Sequence, residues 1–416
     1  MSSYDVDAVR SAFPALVGST SAAHFDGPGG TQVPTPVADA VHEALVAPTA
    51  NRGRVTQAER NADDVVLAAR SAVADLVGGE PGGVVFGRSA TSLTYDLART
   101  LSAGWGPGDE VVVTRLDHDA NIRPWVQAAQ RVGATVRWAG FDPATGELTA
   151  ADVAAVVGER TRLVAVTGAS NLIGTRPPLP EIAGVAHAVG AHVHVDGVHL
   201  TAHVPVDLPE LGCDTFTCSP YKFLGPHCGA LVADPELLGS LHPDKLLPSS
   251  DAVPERFELG TLPYELLAGT TAAVDFLAGL AGGAGPRRVR LRASMAAVEA
   301  HEDELRGELE PALAELPGVT VWSRAARRTP TLLLTFARHT GGVGGQGRVT
   351  AAEAYRFLAD RGVNAPAGSF YALECSRWLG LGDTGGLRVG LAPYSDRSDV
   401  ARLLEGLAAF LDAPGR

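Results

Sequence analysis

Short apolar runs recur along the chain at 84–86, 110–114, 134–138, 163–167, 191–195, 214–218 and 229–233. Each has the length of a strand rather than a helix. Between and before them, apolar residues return at helical spacing over 36–47, 57–77, 92–103, 124–132 and 181–189. Strands alternating with helices predict an α/β fold with a mostly parallel central sheet and helices on both faces. Beyond residue 234 the texture changes. Residues 244–262 read as loop and 263–280 as helix, and Gly282, Gly283 and Pro286 precede a long charged helix at 287–314. Strands at 319–322, 331–336 and 386–391, a glycine-rich stretch at 341–347, and helices at 350–361 and 396–412 follow. This mixture predicts a smaller α+β C-terminal domain. We expect a large domain at 22–283 and a small one formed by 1–21 and 284–416, with an amphipathic helix at 5–17 packed on the latter.

In sheets of this kind, ligands gather at the carboxyl ends of strands. His118, Asn171, Asp196 and Lys222 all fall at such ends. Lys222 closes Ser219-Pro220-Tyr221-Lys222, and Asp196 opens Asp196-Gly197-Val198-His199. A lysine and a carboxylate, each ending a buried strand, are what pyridoxal phosphate requires: the lysine forms the imine and the carboxylate meets the ring nitrogen. Each residue also has a plainer reading, as a solvated lysine, a capping aspartate or a loop histidine. The turn Gly87-Arg88-Ser89-Ala90-Thr91-Ser92 offers N–H groups and hydroxyls at a helix start, either to a phosphate or as an ordinary cap. The loop from His24 to Thr31, rich in glycine, is a turn or a pocket wall.

Composition narrows the class. The chain has 416 residues, 45% of them hydrophobic and 19% charged, which suits a large folded core. A net charge of −13 and no basic block argue against nucleic acid or an anionic membrane as partner. Four cysteines without a CxxC pair suit a reducing cytoplasm, with no disulfide framework and no metal expected. The start, MSSYDVDAVR, carries no apolar leader, and no uncharged apolar stretch reaches membrane-spanning length.

The segments Asp196 to His199, Ser219 to Lys222 and Gly225-Pro226-His227 resemble class V aminotransferase-fold enzymes. Within them the chain is similar to the cysteine desulfurase and selenocysteine lyase branch, nearest a cysteine desulfurase-like subgroup. The resemblance covers nearly the whole chain and implies the fold type I of pyridoxal phosphate-dependent transferases. It implies that Lys222 anchors the cofactor and later moves the Cα proton, that Asp196 pairs with the pyridinium nitrogen, and that His118 stacks on the ring and assists proton transfer. Asn171 and His199 are expected near the phenolate oxygen, with Tyr221 beside the cofactor. Ala90, Thr91 and Ser219 are expected at the phosphate, and Thr261 at the phosphate of a partner subunit, which makes a homodimer with shared sites the active unit. Arg388 is expected to grip the carboxylate of an amino acid substrate, since a planar fork suits it better than a lysine.

The chain departs from the pattern in four places, one of them the absence of an arginine usual a few residues before the loop cysteine. His199 stands where the branch usually has glutamine, and Tyr221 where it usually has histidine. In the loop 364–375, Tyr371 holds the place of the sulfur-accepting cysteine, and Cys375, four residues on, is the remaining candidate nucleophile. The implied reaction is C–S bond cleavage of L-cysteine or a related sulfur or selenium amino acid, with a sulfur-accepting protein as a further partner. Other pyridoxal phosphate chemistry (β-elimination, epimerisation or transamination) and a non-catalytic cofactor-binding role are the alternatives.

Overall fold

Alternate residues of the apolar runs separate onto two faces. Val84, Phe86, Val112, Val164 and Val166 join one buried cluster; Val85, Val111, Val113, Leu163 and Ala165 join another. A strand with both faces buried reads as a continuous apolar run, which is what the sequence shows. Each fully buried Val or Leu contributes about 1.5–3 kcal/mol. The structure, a computed structural model, describes residues 4–18, 22–339 and 346–413. Most of the glycine-rich stretch expected at 341–347 lies outside these residues.

The large sheet has seven strands, in the spatial order Val84–Gly87, Gly229–Ala233, Thr215–Cys218, His192–Asp196, Thr161–Thr167, Glu110–Thr114 and Thr135–Ala139. Gly229–Ala233 runs antiparallel to both neighbours, and all other pairings are parallel. Helices Ala90–Ser102 and Arg123–Val132 cover one face through Leu93, Leu97, Trp125 and Ala129. Helices Gln57–Val77, Leu179–His187 and Tyr264–Gly279 cover the other through Val66, Val73, Ile182, Leu267 and Val274.

A second, antiparallel sheet is built from Val319–Val321, Thr331–His339, Gln346–Val349, Ala367–Gly368 and Gly386–Gly390. It shares a separate apolar core with helices Arg287–Glu315, Ala351–Ala359 and Arg397–Asp412.

Three local expectations change. The helix expected at 5–17 is shorter, Val6–Ser11, with a 3-10 turn at Pro14–Leu16, because Pro14 cannot donate to a continuing helix. Its apolar residues Val9, Phe13 and Leu16 enter the large core, while Arg10 pairs with Asp396 and Asp399 of the C-terminal unit at 3.0 and 2.6 Å. Ala23–His24 pairs with Val363–Asn364, and Phe25 joins the C-terminal core, so the chain after residue 22 first visits the small unit. The segment read as loop through 375 contains the short helix Leu373–Trp378. Among the described residues, no helix is long and apolar enough to cross a membrane.

Candidate active site

The carboxyl ends of the parallel strands open on a cavity of about 700 Å³. Ala90, Thr91, His118, Asn171, Asp196, His199, Ser219, Tyr221, Lys222 and Arg388 line it, although they come from both sheets and from helix starts and turns. Thr261 and Cys375 do not.

Lys222 ends the 3-10 turn Pro220–Lys222, directly after strand Thr215–Cys218. Its amine donates to the carbonyl of Pro28 and lies 4.8 Å from the Tyr221 ring centroid. Burial, and then the nearby Arg388 cation, push its pKa down to about 7; Asp26 and Asp196 pull the other way. A lysine poised there is half neutral at pH 7, the state that attacks a carbonyl.

Asp196 terminates its strand, and one carboxylate oxygen accepts the Val198 N–H at 2.9 Å. Burial raises its pKa to about 6, opposed by that N–H and by Lys222. Its neighbour Asp117 is buried more severely. Burial lifts Asp117 to about 8 despite hydrogen bonds from Thr114 and, at 2.7 Å, from Asn121. Near neutrality Asp196 is therefore the carboxylate that carries charge, and Asp117 is a neutral brace under the His118 turn.

His118 accepts the Ala120 N–H on Nδ1 at 3.0 Å. Burial, then Lys222 and Arg388, lower its pKa to about 4, so the ring is neutral. His199 is neutral for the same reasons: burial first, then His203, Lys222 and Arg388 hold it well below the usual range. Its Nε2 lies 3.0 Å from the hydroxyls of both Thr329 and Thr331. Its Nδ1 and the side-chain oxygen of Asn171 are buried without a protein partner, although both residues face the cavity. Such orphaned atoms need a ligand or water.

The start of helix Ala90–Ser102 closes one end of the cavity. Ser89 and Ser92 form a capping box, leaving Ala90 and Thr91 in the first turn with N–H groups oriented outward. Strand Gly229–Ala233 presses against this turn. A Cβ on Gly229 would sit 2.3 Å from the Ser89 carbonyl carbon and 2.4 Å from the Ala90 nitrogen, so only glycine permits the approach. The helix-start cradle, the orphaned atoms of Asn171 and His199, and the half-neutral Lys222 opposite Asp196 together fit pyridoxal phosphate.

Arg388, on strand Gly386–Gly390, is buried across the cavity. It pairs with Asp26 at 2.6 Å, donates to the Asn171 carbonyl at 3.2 Å, and stacks 3.7 Å from the Phe370 ring centroid. Burial lowers its pKa, and Asp26 opposes the shift. Asp26 and Phe370 were not singled out from sequence. The glycine-rich loop 24–31 was the one available signal for Asp26, and the structure makes that loop a pocket wall through Asp26, Pro28 and Gly29. A Cβ on Gly29 would lie 2.4 Å from the Asp26 carboxylate, so the glycine gives that side chain its room.

Two expected residues lie elsewhere. Thr261 is exposed in a separate depression of about 380 Å³ that also includes Arg88, Ser92 and His227. Cys375 sits fully buried on helix Leu373–Trp378 in the large core, where burial pushes its thiol pKa up. An inaccessible thiol that disfavours ionisation is a core residue, and the expectation of a Cys375 nucleophile is corrected on that ground.

The sequence model of the family Aminotransferase class-V matches residues 23–403, and the chain belongs to that family. It is a pyridoxal phosphate-dependent enzyme of the cysteine desulfurase-like branch. An uncharacterized protein of Mycobacterium tuberculosis is 36% identical over 98% of this chain and 99% of its own length. A cysteine desulfurase of Dickeya dadantii is 31% identical over 97% of this chain and 96% of its own. Among solved structures, the cysteine desulfurase CsdA of Escherichia coli superposes with a TM-score of 0.83, at 27% identity, covering 98% of this chain and 99% of that one.

Proposed function

We propose that this enzyme cleaves the C–S bond of L-cysteine or a related sulfur or selenium amino acid. The observation that carries the reading is one cavity in which a half-neutral Lys222, the ionised Asp196 and the Arg388 fork face one another. When bound, pyridoxal phosphate withdraws electrons from the substrate Cα. Lys222 holds the cofactor and then takes the Cα proton on Nζ. Asp196 keeps the ring nitrogen protonated, and His118 covers the ring face. Ala90, Thr91 and Ser219 hold the phosphate. His199 would donate from its free Nδ1 to the phenolate oxygen, Asn171 stands beside it, and Tyr221 walls the site, its ring stacked 4.9 Å from that of His227. Arg388 receives the substrate carboxylate.

The exposed Thr261 supports a homodimer in which it reaches the partner's phosphate. Four unpaired thiols favour work in the cytoplasm. We keep the division into a large unit, 22–283, and a small unit, 1–21 with 284–416, as part of this reading.

A second reading concerns where the sulfur goes. Among the described residues no thiol lines the cavity, and Cys218, Cys228 and Cys375 are buried. This favours release of sulfur to a diffusible molecule, by β-elimination or to a free thiol, over capture on the protein. The test is product analysis of purified, cofactor-loaded protein with L-cysteine and other amino acids. Sulfide or sulfane sulfur formed with alanine or pyruvate is the expected result. A protein that consumes only sulfur-free amino acids would sink the C–S reading.

The Lys222 shift sets a pH dependence. The neutral fraction of an amine with pKa about 7 rises from about one-tenth at pH 6 to one-half at pH 7 and nine-tenths at pH 8. Capture of pyridoxal phosphate by the cofactor-free protein should therefore accelerate about fivefold from pH 6 to 7 and level off above pH 8. Stopped-flow absorbance checks this, and a rate still climbing tenfold per unit at pH 9 would contradict it.

A further inference from the structure

The turn over the cavity mouth is held unusually firmly. Phe370 and Tyr371 both adopt left-handed backbone, with φ of 51° and 58°, a conformation that side chains resist and that persists only where the surroundings impose it. Asn171 Nδ2 donates to the Phe370 carbonyl at 2.9 Å, and the Asp119 N–H donates to the Tyr371 carbonyl at 2.7 Å. The helix that follows is latched to the same side of the large sheet. Glu374 bridges Arg115 at 3.1 Å and Arg123 at 2.8 Å. Arg115 lies between Trp138 and Trp378, at 5.1 and 4.7 Å from their ring centroids, and the Trp378 indole donates to the Phe141 carbonyl at 2.7 Å. These contacts join segment 370–378 to Asn171 and to the strand-end region around 115–141, so the turn is a roof fixed to the large unit.

What this roof presents is Tyr371. Its side chain lines the cavity, with its ring 5.6 Å from that of His118, while 76% of the residue stays open to solvent at the mouth. His118 itself is a poor acid. Its ring is neutral, and Nδ1 already accepts the Ala120 N–H, so its remaining proton is that of a neutral imidazole. A thiolate leaves more readily when a proton reaches it, and among the described residues no protein thiol lines the cavity to accept sulfur instead.

We propose that Tyr371 is the acid that protonates the departing sulfur, so that the enzyme releases sulfur as a diffusible thiol or sulfide. This rests on the C–S cleavage reading above and commits it to elimination. Lys222 takes the Cα proton, the Cβ–S bond breaks with its electron pair going to sulfur, and Tyr371 Oη gives sulfur a proton. Water restores the phenol, which its exposure at the mouth allows. Overall, a substituted cysteine and one water yield a thiol, pyruvate and ammonia, with no change in net oxidation level.

The experiment compares wild type and Tyr371→Phe on L-cysteine and on β-chloro-L-alanine, whose chloride leaves without a proton. The expected result is a loss of about 100-fold or more in kcat on cysteine, the range general acids supply, and a loss at least tenfold smaller on the chloro compound. Equal losses on the two substrates, or no loss on cysteine, would overturn the proposal. Wild-type enzyme that forms alanine rather than pyruvate from cysteine would overturn it while leaving C–S cleavage standing. Inactivity toward cysteine and every other sulfur amino acid would remove the C–S reading and the proposal together. Hydrogen exchange supplies a readout independent of turnover. The amides of Asp119, Ala372 and Ser376, each hydrogen-bonded in the roof, should exchange slowly in cofactor-free and loaded protein alike, and equally in Tyr371→Phe; rapid exchange there would overturn the fixed roof.

Discussion

Lys222→Ala should lose turnover by a factor on the order of 10,000 and lose the cofactor's imine absorption with it. On the roles proposed for it, two functions end together, the covalent hold on pyridoxal phosphate and the base that moves the Cα proton, and general base catalysis alone is worth about 100- to 10,000-fold. The same variant should not be less heat-stable in its cofactor-free form. The wild-type amine has its pKa lowered by folding, to about 7, so the unfolded chain binds more protons between that value and the ordinary lysine range. Stability contributed by this group therefore rises with pH across that window, and at neutral pH the buried amine is a burden that alanine removes. Absorption spectra, turnover and thermal melts of the two proteins check the three statements. A normal imine band in Lys222→Ala would show that another amine holds the cofactor.

Arg388→Lys should lower kcat/KM for the amino acid substrate by about 100-fold, roughly 2–3 kcal/mol, while the bound cofactor keeps its spectrum. The guanidinium spans Asp26 and the Asn171 carbonyl and lies flat on Phe370. A lysine keeps the charge that Asp26 requires, so the fold survives. It has neither the fork for a second carboxylate nor a planar face for the ring. The loss should fall mainly on KM. A variant with unchanged KM and a collapsed cofactor spectrum would place Arg388 in cofactor binding instead.

The strand-end residues were legible because a short continuous apolar run ends where its polar residues begin. His118, Asn171, Asp196 and Lys222 each follow such a run, and the parallel sheet brings all four to one edge. Ala90 and Thr91 were legible for a related reason, since Ser89 and Ser92 mark a helix start. Asp26 and Phe370 were not. Asp26 lies in a loop whose neighbour in space, Arg388, is 362 residues away in sequence, and no local pattern encodes that pairing. The neutral state of Asp117 was hidden as well, because it depends on burial from elements distant in the chain.

Cys375 marks the limit most clearly. Along the chain it stands four residues from Tyr371, near enough to be a candidate nucleophile. In the fold, a short helix turns it into the large core, while the left-handed pair Phe370 and Tyr371 faces the cavity. By itself, then, the sequence determined the α/β class and which polar residues stand at the strand ends, since these follow from local pattern and from which side chain ends each run. Only the tertiary structure decided the partner of Arg388, the direction in which burial shifts the buried acids and histidines, and which residues of the loop line the cavity. Those depend on desolvation and on contacts between segments hundreds of residues apart, which local pattern does not carry.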